Sequence, residues 1–293
     1  MNKARLNALI ELLDDPDETV YEIVEKELLK GKNNIIPALE EKWENSFDGR
    51  CQMRIENIIQ NLQFNYTAKM LKTWLKTGAK ENDLLSGYLV IDRLQYPDLN
   101  TIMVQLKLEK LRKKIWLELN NSLTLLEKTT ILNHFLYNIN GFAINHKNIH
   151  SPQNCFLNQL LETKKANPVS MCMLYMIVAR QLELPARFID FPKNPLVAMV
   201  DHKLAQKVHG GKSRSDVLFY INPANKGAVT SIKEIEYHLK TNDFYPLENY
   251  TEPKPDIHLL EQLLETLMYS YQSVNYNDKK EKIQKLINII HLK

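Results

Sequence analysis

Two histidines have the spacing of a simple metal site. His146 and His150 are four residues apart, which would place both imidazoles on one face of a helix. The segment between Asn145 and Pro152 has the composition of a loop, and no third ligand lies near it in the sequence. The sequence therefore predicts neither a metal ion nor another cofactor.

The chain has three cysteines, of which Cys172 is a candidate nucleophile. Cys51, Cys155 and Cys172 lie far apart and are odd in number, so they form neither a disulfide framework nor a CxxC metal motif. This usage is typical of the reducing cytoplasm, where we expect the protein to be. A free cysteine usually behaves as a small buried hydrophobic residue. That interpretation is favoured for Cys155 and Cys172, while a reactive Cys172 stays open.

Two further segments bear on anionic partners. Gly210-Gly211-Lys212-Ser213 ends like a phosphate-binding loop, but the first glycine of that motif and the apolar strand before it are missing. The basic run from Lys107 to Lys114 is interleaved with Leu106, Leu108 and Leu111, which favours the solvated face of an amphipathic helix over an anion or RNA site. The net charge is only +3, from 38 basic and 35 acidic residues. We expect no nucleic-acid partner.

No apolar run reaches the roughly 20 residues that a membrane span needs, and the residues after Met1 lack the apolar core of a secretory signal. We therefore expect no membrane partner. Proline divides the chain into three regions, with three prolines in residues 1–151, nine in 152–255 and none in 256–293. Because proline interrupts helices, we predict an all-helical first half, a mixed middle and a helical end.

Periodicity supports this division. Leu6, Leu9, Ile10 and Leu13 share one helical face, and similar short bursts follow up to Leu62. Further helices are predicted at 68–76, 82–93, 98–119, 122–140, 168–182, 257–272 and 277–291, with one more starting near Ile232. Runs rich in β-branched and aromatic residues predict strands at 186–191, 196–200 and 217–221.

Two segments carry resemblances. The stretch LIELLDDPDETVYEIVEKELLKGKNNIIPALE, which contains a Leu-Leu-Asp-Asp-Pro-Asp turn and a later Ile-Pro-Ala-Leu, resembles one HEAT-type repeat. The stretch INGFAINHKNIHSPQNCFLNQLLETKKANPVSMCMLYMIVARQLELPARFIDFPKNPLVAMVD, followed by VLFYINPANKGAVTS, resembles the transglutaminase-like superfamily in its bacterial SirB-type branch. The second resemblance covers about residues 135–240 and implies a papain-like core with an antiparallel sheet.

In that superfamily a nucleophile at the start of a helix is activated by a histidine, and an Asp or Asn orients the histidine. The resemblance places Ser170 at the nucleophile position, Asn194 where the histidine is expected, and Asn222 at the orienting position. Neither Ser170 nor Asn194 titrates near neutral pH. The resemblance therefore implies a core that has lost acyl-transfer activity.

We expect a mainly α fold with a small α+β core: a HEAT-like helical array in residues 1–121, the transglutaminase-like core in 122–250, and a tetratricopeptide-like helical hairpin in 251–293. Because helical arrays present extended surfaces, the leading hypothesis is a binding protein for a protein or peptide. The oligomeric state is left open.

The alternative hypothesis is a hydrolase or acyltransferase that uses Cys172 or Ser170. It requires a base from elsewhere, and His202 or His209 could supply one if their loop folds back. Gln153 and Asn154 precede the core helix. Their amides could bind a ligand in the cleft or tie the loop to the core.

Overall fold

The computed structural model describes residues 2–31, 33–79, 83–209 and 216–292, without the side chains of residues 208 and 209. The chain forms two compact units, residues 1–73 with 93–97 and residues 74–92 with 98–293. The boundary predicted between residues 121 and 122 lies inside the second unit. The reason is that α5 (Leu84–Asp92) and α6 (Thr101–Trp116) both contact α8 (Leu157–Thr163) and α9 (Pro168–Gln181).

The first unit is helical. Its helices are α1 (Lys3–Glu11), α2 (Glu18–Leu29), α3 (Ile36–Asn45) and most of α4 (Gly49–Lys76). Side-chain caps start the first two helices, since Asn2 accepts a hydrogen bond from the Ala4 amide and Asp17 accepts one from the Thr19 amide. Two separate helices were predicted where α4 runs unbroken, because the apolar periodicity lapses after Leu62 although no glycine or proline interrupts the chain there.

A buried arginine holds the turn of the predicted HEAT-like segment. Arg54 of α4 donates hydrogen bonds to the carbonyl oxygens of Leu13 (3.0 Å) and Asp15 (2.7 Å) and to the carboxylate of Glu18 (2.7 Å). These bonds satisfy the buried guanidinium, which would otherwise be costly inside the unit. The core around it is aliphatic, with Leu13, Leu28, Leu39, Ile55 and Ile58 fully buried.

The second unit combines helices with two sheets. Its remaining helices are α7 (Leu125–Asn133), which continues as a π-helical turn over His134–Ile139, α10 (His202–His209), α11 (Ile232–Thr241), α12 (Glu248–Thr251), α13 (Asp256–Ser273) and α14 (Asn277–His291). The helices α13 and α14 pack against each other. None of the described helices combines the length and the apolarity that crossing a bilayer requires.

The main sheet is antiparallel. It contains β3 (Ala186–Ile189), β4 (Leu196–Val200), β5 (Val217–Asn222) and β6 (Ala228–Thr230), in that order. The three predicted strands are confirmed as β3, β4 and β5. A small parallel pair, β1 (Ala143–Ile144) with β2 (Lys165–Ala166), and the edge strand β6 have no counterpart among the predicted strands, because segments of two or three residues carry no clear period.

The two faces of this sheet are covered by different helices. Leu196, Ala198 and Tyr220 share one face and pack in one apolar cluster with Ile235 and Leu239 of α11. Because side chains alternate along a strand, Phe188, Val197, Met199 and Ile221 belong to the other face, where they are fully buried. The helix α9 contacts β3 and β4 and contributes no residue to the α11 cluster. We therefore assign α9 to the second face.

Candidate functional site

The helix with the predicted nucleophile position begins as the sequence indicated. Asn167 caps α9 by accepting a hydrogen bond from the Ser170 amide (2.8 Å), and Pro168 occupies the first helical position. The Nδ2 group of the same Asn167 side chain donates a hydrogen bond to Cys155 Sγ (3.1 Å). Asn167 thus fixes the start of the helix and joins it to the preceding loop.

Ser170 lies in a closed interior. Its side chain is fully buried, as is that of Tyr88 in α5. Neither hydroxyl has a hydrogen-bond partner of normal geometry in the described part of the chain. Burial and then the nearby Asp92 charge raise the pKa of Tyr88, whereas its contact with Ser170 acts to lower it. The polar group next to the Ser170 hydroxyl is therefore the Tyr88 hydroxyl, and no imidazole of the described residues is hydrogen-bonded to Ser170.

The two thiols of the core are also buried. Cys172 lies behind β4, where its Sγ contacts the Leu196 carbonyl oxygen at 3.8 Å. Burial, with a further contribution from the Asp256 charge, raises the pKa of Cys172. Burial also raises the pKa of Cys155 to about 12. Since the thiolate is the reactive form, both thiols are disfavoured as nucleophiles in this conformation.

A cleft lies between the sheet and α11. It has a volume of about 380 Å³, and its lining includes Asn194 and Asn222, two of the three triad positions that the family resemblance assigned. Leu196, Ile235 and Phe244 provide apolar surface beside them. The remaining lining residues are Phe191, Pro192, Lys193, Thr230, Glu234, His238 and Asn242.

The third triad position, Ser170, is not in this cleft. Neither Ser170 nor Cys172 lines it. The faces of the sheet explain the separation, because α9 covers one face whereas the cleft opens on the face covered by α11. The expected base position, Asn194, and the orienting position, Asn222, therefore line one cleft, whereas the nucleophile position, Ser170, lies outside it.

An imidazole that the sequence analysis did not single out does line the cleft. His238 of α11 is exposed and stacks on Phe191, with ring centroids 5.6 Å apart. The sequence did contain a signal for the helix that carries His238, because the capping box formed by Ser231 and Glu234 correctly predicted the start of α11. His238 lies one helical turn beyond Glu234, but only the tertiary fold shows that it lines the same cleft as Asn194.

The two histidines named as substitute bases have other surroundings. His202 is exposed and contacts Asp216 (2.5 Å) and Gln206 (3.1 Å) through its two ring nitrogens. The side chain of His209 and the segment from Gly210 to Ser213 lie outside the described residues. His146 and His150 lie in the predicted loop, and the His150 ring packs edge-on against Tyr269.

The side-chain amides of Gln153 and Asn154, in the loop before α8, have different surroundings. Asn154 is buried, donates to the carbonyl oxygens of Asn148 (2.7 Å) and Ile149 (3.1 Å), and accepts from the Asn145 amide (3.0 Å). These hydrogen bonds stabilise the conformation of the loop, since all the partners of the Asn154 side chain belong to it. Gln153 is exposed and does not line the cleft.

A buried carboxyl group stabilises the start of α8, the helix that follows this loop. Asp92, at the end of α5, accepts hydrogen bonds from the amides of Leu157 (2.8 Å) and Asn158 (3.0 Å), the first residues of α8. It satisfies two donors that a helix start leaves free. Burial raises the pKa of Asp92 to about 7, against the opposing effect of these two amides.

This carboxyl group predicts a pH-dependent stability. Because the folded pKa of Asp92 lies above its ordinary value of 3.8, the folded chain binds this proton more tightly than the unfolded chain. The resulting stabilisation is full below about pH 4 and is lost as the pH rises through about 7. We expect this group to lower the free energy of unfolding by up to about 1.4 kcal/mol per pH unit between these limits.

Urea unfolding at about pH 5 and about pH 7 measures this slope. Asp92→Asn removes the titrating group and keeps one acceptor oxygen, so its slope should be flatter. Asp98→Asn, at an exposed carboxyl group, is the control and should keep the wild-type slope. An unchanged slope in Asp92→Asn would show that the buried group does not titrate in this range.

Comparisons with known proteins agree with the architecture of the core. A family model described as the transglutaminase-like superfamily matches residues 103–265. The chain is 27% identical to a UPF0162 protein of Xylella fastidiosa (strain 9a5c) over 225 residues, which are 72% of this chain and 73% of that protein. A UPF0162 protein of the Temecula1 strain is 26% identical over the same shares.

A shorter similarity reaches a mammalian protein. F-box only protein 21 of Mus musculus is 30% identical over 106 residues, which are 36% of this chain and 16% of that protein. No solved structure matches the chain. The family match covers more than half of the chain and includes α9, the antiparallel sheet and the cleft. The chain therefore belongs to the transglutaminase-like superfamily.

Proposed function

We propose that this chain is a degenerate, SirB-type member of its superfamily that binds a peptide segment of a protein partner and does not catalyse acyl transfer. One observation carries the proposal. The cleft contains Asn194 and Asn222, whereas Ser170 is buried outside it. An acyl transfer needs nucleophile and base within hydrogen-bond reach of each other, and these positions do not provide that pair.

The lining of the cleft fits a short peptide. Leu196, Ile235 and Phe244 can cover one apolar side chain, and the volume of about 380 Å³ is near the lower end of ligand pockets. Asn194 is half-buried, and its side-chain amide makes no hydrogen bond with the described residues. A side-chain amide has both donors and an acceptor. It can therefore pair with the backbone of an extended peptide.

Binding of short peptides by the purified chain tests the proposal. We expect an array of capped peptides with a central apolar residue to contain binders, and Asn194→Leu to weaken their binding about tenfold, the equivalent of one to two hydrogen bonds. Asn222 is a poorer target because its Oδ1 also accepts from the Asn225 amide and shapes the turn after β5.

Asn121→Leu, at an exposed asparagine outside the cleft, is the matched control and should bind as the wild type does. Equal weakening in both variants, or an array without any binder, would contradict the proposal. Incorporation of a fluorescent amine into glutamine-containing peptides would contradict it as well, because it would demonstrate acyl transfer.

A hydrolase or acyltransferase is the second candidate, and His238 is the observation that favours it. This imidazole lines the same cleft as Asn194 and could act as a base. The nucleophile would have to be Ser170 or Cys172, which requires a rearrangement that brings α9 and the cleft together. Labelling of the thiols reports on such a rearrangement.

We expect Cys155 and Cys172 to react with iodoacetamide at neutral pH at least about 100-fold more slowly in the folded chain than in urea. Both are fully buried, and each unit by which the pKa of a thiol rises lowers its thiolate fraction about tenfold. Mass spectrometry of the labelled peptides gives the two rates. Fast native labelling that disappears in Cys172→Ala would instead support the enzyme.

A further inference from the structure

The helix α6 has one face in the core and a second face outside it. Val104, Leu108, Leu111 and Ile115 are buried, and α6 contacts α8 and α9. One buried apolar face of this kind is what a helix needs to pack on the surface of a folded unit. Large apolar side chains elsewhere on α6 are therefore not explained by the fold.

Such side chains are present on the opposite side. Ile102 (66% exposed), Met103 (51%), Leu106 (55%) and Leu117 (74%) project into solvent. Leu106 lies three residues after Met103 and four after Ile102, and Leu117 falls on the same side about three helical turns after Leu106. A row of exposed apolar residues on one face marks an interaction surface more often than scattered ones do.

Lysines occupy the positions between these apolar residues. Lys107, Lys110, Lys113 and Lys114 are exposed on the same face. Among the described residues, the only ion pair recorded for any of them is between Lys113 and Glu109 at 3.7 Å. No acidic residue occupies positions 103, 106, 107, 110, 113, 114 or 117. Glu109, which pairs with Arg112 and Lys113, compensates part of the charge, and the face remains apolar with an excess of positive charge.

We propose that this face of α6 docks on an anionic lipid surface. A bilayer with acidic headgroups supplies diffuse negative charge to the lysines and an apolar layer to the side chains between them. Trp116, which is 58% exposed near the end of the helix, has the side chain that membrane interfaces favour. The contact is peripheral, so it is compatible with the finding that no described helix can span a bilayer.

A lipid surface also suits the length of this face better than an acidic protein does. The 16 residues of α6 span about 24 Å. A protein partner would need carboxylates at matching positions along that length, whereas headgroups adjust to any spacing of lysines. We therefore assign the surface to lipid, although the expectation from the sequence was no membrane partner.

Sedimentation of the full chain with vesicles tests the proposal. We expect binding to phosphatidylcholine vesicles that contain about a third phosphatidylserine, at least about tenfold weaker binding to pure phosphatidylcholine, and loss of binding at high salt. Each lysine near an anionic surface contributes about fivefold in affinity. Lys110→Gln/Lys114→Gln should therefore weaken binding about 25-fold.

Lys203→Gln/Lys207→Gln is the matched control. It changes the same charge at the same spacing on α10, where both lysines are exposed, and it should bind as the wild type does. Tryptophan emission gives a second readout, because a blue shift on adding anionic vesicles should disappear in Trp116→Phe. Equal loss in both double variants, unchanged binding of the α6 variant, or binding to acidic peptides but not to vesicles would overturn the proposal.

Discussion

Replacing Asp256 by alanine is expected to lower the free energy of unfolding by about 3–5 kcal/mol, the usual effect of removing one partner from a buried ion pair. Asp256 is only 2% exposed and starts α13, while Arg180 comes from the last turn of α9. The two Arg180 Nη atoms donate to the two carboxylate oxygens, with Nη2 at 2.8 Å from Oδ1. The variant would remove the Asp256 carboxylate from a largely buried guanidinium.

Urea unfolding of the wild type and Asp256→Ala measures this difference. Glu109→Ala is the control, because Glu109 forms a comparable two-bond pair with Arg112 that is much more exposed on α6. Such surface pairs contribute about 1 kcal/mol or less. Similar losses in both variants would mean that burial does not determine the strength of the Arg180–Asp256 pair.

The second large effect is expected at Gly227, in the turn between β5 and β6. Its φ of +74° is unfavourable for other residues, and a Cβ atom there would lie 2.2 Å from Asn133 Oδ1. Asn133 joins this turn to the core, because it donates to the Gly227 carbonyl oxygen (2.8 Å) and accepts from the Tyr175 hydroxyl (2.8 Å). Gly227→Ala should lower the free energy of unfolding by about 2–4 kcal/mol, from backbone strain and the loss of these bonds.

The two contributions can be measured separately. Gly141 also has a positive φ (+68°), but no heavy atom lies within 4 Å of a Cβ built there. Gly141→Ala should therefore show only the backbone effect, about 1 kcal/mol. In an Asn133→Ala background the clash is absent, so Gly227→Ala should cost less than in the wild type. Additive effects of Asn133→Ala and Gly227→Ala would contradict the clash.

The elements with strong local signals were predictable from the sequence. The three strands and the starts of α9 and α11 were indicated by residue composition, by Pro168 and by the capping residues Asn167 and Ser231. The continuity of α4 was not predicted, because the apolar period pauses between Leu62 and Leu71 while the backbone remains helical. Local propensity sets where a helix starts, whereas an unbroken helix requires only that nothing stops it.

The candidate site was predictable in part, and only through the family resemblance. That resemblance named Asn194 and Asn222, and both line the cleft. The contribution of α11 was not predictable, since nothing local shows on which face of the sheet His238 will lie. The Tyr88 hydroxyl near Ser170 comes from a helix some 80 residues earlier, and contacts over such separations leave no periodic signal in the sequence.

The carboxyl group of Asp92 also affects the expected stability of truncated fragments of the chain. The segment that matches the superfamily begins at residue 103, yet the first two amides of α8 are satisfied by a side chain eleven positions before it. A fragment trimmed to the matched boundaries would keep every residue of the cleft and lose this acceptor, together with the buried Tyr88. We therefore expect a fragment that starts at α5 to be more stable than one that starts at residue 103.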